Sequence, residues 1–153
     1  MDFLNDGGFL GTPASLGADI SLVVTTLAAV LVTIGWRLAV DKRFQAHHWV
    51  QVGATALNAL VAVFWMIGSF RRYVVPELPG NLADPPFALT AVHATVGTIG
   101  LLLGGLIILR YSFLSPPQLR RVNAKTVMRT AFILYLLSWV LGVGVYVWLY
   151  AGF

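Results

Sequence analysis

Four runs of apolar residues, near 19–40, 49–70, 87–109 and 130–151, alternate with short stretches that hold most of the charges and all seven prolines. Each run is about 22 residues long, which at 1.5 Å per residue gives ~33 Å of helix against a hydrocarbon core of ~30 Å. The pattern predicts an all-α fold, an integral-membrane four-helix bundle with short loops. The connections are too short to hide a soluble domain, which needs about 50 residues at least. Any ligand site therefore lies within the bundle or at its rims.

The connections differ in character. Asp41 to Ala46 reads as a tight turn that makes the first two spans antiparallel neighbours. Arg71 to Pro86 contains Pro76, Pro79, Pro85, Pro86 and Gly80, a composition that predicts an ordered, partly extended cap continuing neither helix. Pro86 suits the first turn of the third span. Residues 111–128 carry Pro116-Pro117 and then Leu119 and Val122 among basic residues, which predicts a short interfacial helix. Residues 1–18 hold Asp2 and Asp6 but no Lys or Arg, so they read as a tail and not as a secretory signal.

Composition strengthens the membrane reading: 58% of the 153 residues are hydrophobic and only 10% charged, against about 25% charged in soluble domains. There is no cysteine, which removes disulfides, thiolate ligands and attached c-type haem. Eight of the ten Lys and Arg residues lie around the first and third loops, and the other two, Arg71 and Arg72, in the second. Because basic loops stay cytoplasmic, both termini are expected on the outer side, in the cytoplasmic membrane of a prokaryote. The net charge of +4 then describes an inner rim that meets anionic lipid headgroups. His47 and His48 belong to that rim, with Arg110, Arg120, Arg121, Lys125 and Arg129. The cations are spread over helix ends without the single stripe of a nucleic-acid binder, so no nucleic-acid partner is expected. No internal repeat stands out and no charge lies in the interior of a span, which argues against inverted-repeat and ion-coupled carriers.

The few polar residues inside the spans are the candidate chemistry. His47, Gln51, Thr55 and Asn58 fall within roughly 80° on one face of the second span. Such a stripe packs against neighbouring helices, or lines a site for a quinone, haem or lipid head. On the third span, His93, Gly97, Gly100 and Gly104 share a face, as in close helix packing or a groove admitting a flat ring. The fourth span presents Tyr135, Trp139, Gly142, Tyr146 and Tyr150 in one sector. His93 lies about 9 Å inside the outer edge, on the order of 20 Å from the depth of His47 and His48, so these cannot share one iron within the chain. A histidine at that depth should face inward, with Thr25, Thr26 or Tyr146 as hydrogen-bond partners. His93 is the candidate metal ligand, and His93, Tyr146, Gln51 and Asn58 are the candidate cofactor contacts.

Three segments carry a resemblance: Ala-His-His-Trp-Val-Gln at 46–51, Val-His-Ala-Thr-Val-Gly at 92–97, and Leu-Tyr-Leu-Leu-Ser-Trp-Val-Leu-Gly-Val-Gly-Val-Tyr at 134–146. Over most of residues 37–151 the chain resembles the YozB/CtaM-like small membrane proteins, some of which are implicated in maturation of haem-copper cytochrome oxidases. Relatives often carry further histidines near the outer end of the second span and before the fourth. Here those regions hold Ser69-Phe70 and Asn123-Ala124-Lys125, and His47 or His48 and His93 are the matching positions.

Two function classes follow. The first is a non-catalytic accessory or maturation subunit of a larger respiratory or photosynthetic membrane complex, with membrane lipids and that complex as partners and no cofactor of its own. The second is a redox or cofactor-handling subunit that binds haem, copper or quinone through His93 and the polar stripe. No positioned nucleophile, base or carboxylate pair suggests hydrolase or transferase chemistry.

Overall fold

The computed structural model describes residues 2–81, 83–112 and 123–151. Among these residues, four helices are long and apolar enough to cross a membrane: α1 (Leu16–Val40), α2 (Phe44–Val74), α3 (Pro85–Ser112) and α4 (Ala124–Tyr150). The chain is all-helical apart from its turns and one isolated bridge between Gly7 and Ser15, among the described residues. Pairing follows chain order. α1 packs on α2 and α3 on α4, and the two hairpins meet through α1 with α4 and α2 with α3.

Helix ends follow local chemistry. Ser15 caps α1, its side chain accepting from the Ala18 N–H, and Asn123 caps α4 by accepting from Thr126. Pro85 and Pro86 open α3, where the missing N–H costs nothing. The turn between α1 and α2 is only Asp41 to Arg43, and Lys42 sits at φ 58° to make it. The helices overrun the apolar runs. α2 continues through Arg71 and Arg72 to Val74, and the expected extended cap contains instead a helical turn, Leu78–Asn81. Proline stops α2 only where Pro76 would need a donor, five residues later than the start of the charged stretch. Residues 124–128 belong to α4 and not to a separate interfacial helix; residues 113–122, with Arg120 and Arg121, lie outside the described residues.

The interior is made of small side chains. Ala18, Ala28, Ala29, Val32, Ala54 and Ala131 are buried, whereas Leu27, Phe64, Leu102, Leu106 and Ile133 are at least half exposed. That inversion suits a solvent of lipid tails, in which association depends on close backbone approach and not on hiding large apolar groups. α1 is the central element: 33% of its apolar window is buried, against 6% for each of the other three.

Candidate functional site

The polar groups of the interior fall at three levels, and the first has no counterpart in the spacing pattern of the sequence. Asp19, in the first turn of α1, is fully buried. Its Oδ2 accepts the N–H groups of Phe9 and Leu10 at 2.6 and 2.7 Å, and its Oδ1 accepts the Tyr146 hydroxyl at 2.5 Å. Because Tyr146 spends its one proton on the carboxylate, Thr12 Oγ1 donates to Tyr146 at 2.7 Å. Two successive backbone N–H groups around one oxygen form an anion-holding concavity, and the start of a helix adds its dipole. The loop that supplies them is closed at its base by Leu16 N–H to Asp6 O at 2.7 Å and Gly8 N–H to Ala14 O at 2.9 Å. Glycine is required twice in it. A Cβ on Gly8 would stand 2.3 Å from Asp19 Oδ2, and Gly11 has φ +75°. Aspartate at a span edge gives no signal in a scan for charges in span interiors; only its partners, far away in sequence, reveal it.

The second level is the seam between α3 and α4. His93 Nδ1 lies 2.9 Å from Ser138 O, and since a carbonyl only accepts, Nδ1 carries the proton and Nε2 keeps its lone pair. The ring lies over Gly142, where a Cβ would approach it to 2.9 Å. His93 therefore faces a neighbouring helix, as a buried polar group must. Its partner, however, is neither Thr25, Thr26 nor Tyr146. Thr25 returns its hydroxyl to Ser21 O, Thr26 accepts Trp139 Nε1–H at 3.1 Å, and Tyr146 serves Asp19. Tyr146 lies eight residues beyond Ser138 on α4, about 12 Å along the axis, so the expected depth match fails on that helix, and on α1 the threonine hydroxyls are already engaged. Two glycines of the α3 face sit on α4, where a Cβ on Gly97 would fall 2.7 Å from Ser138 Oγ and one on Gly100 3.4 Å from Leu134, while the third, Gly104, meets Thr55 of α2.

The third level joins α1 to α2 near the Lys42 turn. His47 Nδ1 donates to Gly35 O at 2.7 Å, and Gln51 Nε2 donates to Val32 O at 3.2 Å. His47, grouped by the sequence with the lipid rim, is thus half-buried between two helices, and the polar stripe is a packing face over this turn and a half. Further along it, Thr55 and Gln51 line a cavity of about 50 Å³ with Gly100, Gly104 and Tyr135, where all four helices meet. The Tyr135 hydroxyl is buried there with no hydrogen-bond partner among the described residues. Asn58 is half-buried beyond this cavity.

Three of the four expected cofactor contacts consequently serve different levels, Tyr146 with Asp19, His93 with Ser138 and Gln51 with Val32, and the structure does not bring the four together. Among the described residues, no three His, Asp or Glu side chains converge as a metal-holding group. Of the expected rim, His48 stacks edge-on to the exposed Trp49, Lys125 and Arg129 are exposed, and Arg110 is half-buried. Compared with protein-family models, curated proteins and solved structures, the chain matches none.

Proposed function

We propose that the protein is a non-catalytic accessory or maturation subunit of a larger respiratory or photosynthetic membrane complex, held in the cytoplasmic membrane of a prokaryote with its Asp19 end outward. One observation carries this reading. A fully buried carboxylate is used to clamp the backbone of Phe9 and Leu10, while their side chains stay 58% and 42% exposed. Burying a charge costs several kcal/mol unless it is bonded, on the order of what two or three charge-assisted hydrogen bonds return. The return here is a fixed loop that displays two large apolar side chains at the end of the bundle. A pre-ordered apolar display is what a protein partner needs, because little ordering entropy remains to be lost on docking. The resemblance to proteins implicated in oxidase maturation points the same way.

Affinity purification from native membranes in mild detergent tests it. A respiratory or photosynthetic complex is expected to co-purify, and to be lost when Phe9 and Leu10 are both changed to Ser. Quantitative recovery of the chain alone would overturn the proposal.

A second reading, a cofactor-handling subunit, has its own observation. His93 donates from Nδ1 to a backbone carbonyl, the arrangement that orients a free Nε2 toward a metal. Haem or copper on His93 would give an absorption band or stoichiometric metal that disappears in His93→Ala. A colourless, metal-free preparation from cells supplied with both would remove this reading.

A further inference from the structure

α2 is not a regular helix in its last three turns. Ile67 N–H bonds to Ala62 O and Val75 N–H to Phe70 O, so Ala62–Met66 and Phe70–Val74 are two π-helical turns separated by Ile67–Ser69. Such turns are rare and concentrate at functional sites, because each widens the helix and redirects the side chains around it. Both border the same hollow. A groove of about 210 Å³ runs between this part of α2 and the segment at Leu4, lined by Leu4, Phe64, Trp65, Gly68, Arg72 and Tyr73.

Its two ends differ in chemistry. The Trp65 ring lies against Gly17 of α1, close enough that a Cβ there would meet it at 2.5 Å, so the apolar end has a fixed wall. At the other end the Arg72 guanidinium stands 5.7 Å from the centre of the Tyr73 ring, with no carboxylate paired to it among the described residues. Eight residues separate Phe64 from Arg72, about 12 Å along the axis. α2 is 31 residues long, ~46 Å against a hydrocarbon core of ~30 Å, so its end reaches headgroup level while Phe64 remains at acyl-chain level. An arginine at that level attracts anionic headgroups and binds phosphate oxygens through its planar fork.

We propose that this groove is a binding site for one anionic phospholipid, with the phosphate on Arg72 and the first part of an acyl chain along Phe64, Trp65 and Leu4. The volume equals roughly seven water volumes of ~30 Å³ each, room for a headgroup and a few methylenes while the rest of the lipid stays in the bilayer. The wall at Leu4 belongs to the segment that Asp19 fastens down a few residues later.

Native mass spectrometry of the full chain, titrated with phosphatidylglycerol or phosphatidylcholine of identical chains, tests the site. One phosphatidylglycerol is expected to bind about fivefold more tightly than phosphatidylcholine, the equivalent of about 1 kcal/mol for one arginine at a membrane surface. Arg72→Gln is expected to abolish that preference, and Arg71→Gln, one position away and outside the groove, to keep it. Gly68→Leu is expected to prevent binding with Arg72 intact, since a Cβ at Gly68 meets nothing within 4 Å and the side chain fills the groove without displacing the fold. Equal loss in Arg71→Gln and Arg72→Gln would show diffuse attraction and overturn the site. So would a Gly68→Leu variant that still binds, or displacement of the lipid by glycerol phosphate at equal concentration, which would mean that the chain contributes nothing.

Discussion

Asp19 and Tyr146 are 127 residues apart in sequence and joined by a hydrogen bond of 2.5 Å. The bond ties the start of α1 to the last turns of α4, and through Thr12 it ties both to the loop above them. The first and last helices are thereby closed on each other at one end of the bundle.

Removing one member of this group should cost more than an ordinary hydrogen bond. Tyr146→Phe is expected to destabilise by roughly 1.5–3 kcal/mol, the range for bonds to a charged group. Asp19→Ala should do more, because it also orphans the Phe9 and Leu10 N–H groups. Thermal unfolding in detergent measures the first effect. Limited proteolysis within residues 6–15 checks the second, and a loop still protected in Asp19→Ala would contradict the clamp.

The seam between α3 and α4 offers a paired test. Gly97→Ala should destabilise by about 1–3 kcal/mol through overpacking, because its Cβ would stand 2.7 Å from Ser138 Oγ. Adding Ser138→Ala removes that oxygen, and the double variant should recover most of the loss. Simple additivity of the two changes would mean that the contact is absent.

Tyr135→Phe should not weaken the protein and should raise its unfolding temperature. The hydroxyl is buried without a partner among the described residues, and leaving such a group unsatisfied costs about 1–3 kcal/mol, which phenylalanine avoids at nearly the same volume. A loss of stability would show that the hydroxyl is bonded in the cavity it shares with Gln51 and Thr55.

The absence of cysteine gives a clean background for labelling. Single cysteines at Lys42 and Glu77, in the turns at the two ends of α2, should react from opposite sides of the membrane. From the distribution of basic residues, Lys42 is expected on the cytoplasmic side. Labelling of Lys42→Cys by an impermeant reagent added outside intact cells would reverse the orientation.

Much of the architecture was written in the hydrophobic runs. Their number and length fix four helices, and Ser15, Pro85 and Asn123 fix where three of them begin, because capping and proline chemistry act within a few residues. The spacing of His47 and Gln51 placed both on one packing face, and the small residues of α3 marked a close contact, since periodicity alone determines which residues share a side. What spacing does not contain is rotation about each axis relative to a neighbour. That rotation gave His93 to Ser138 and Trp139 to Thr26, and it set Gln51, Thr55 and Tyr135 around one cavity. It also turned an aspartate at the edge of a span into a fully buried carboxylate. Its stabilising partners, the N–H groups of Phe9 and Leu10 and the hydroxyl of Tyr146, come from an irregular loop and from the opposite end of the sequence. A carboxylate is tolerated in such a place only when its bonds are made, and whether they are made is a property of the packed tertiary structure.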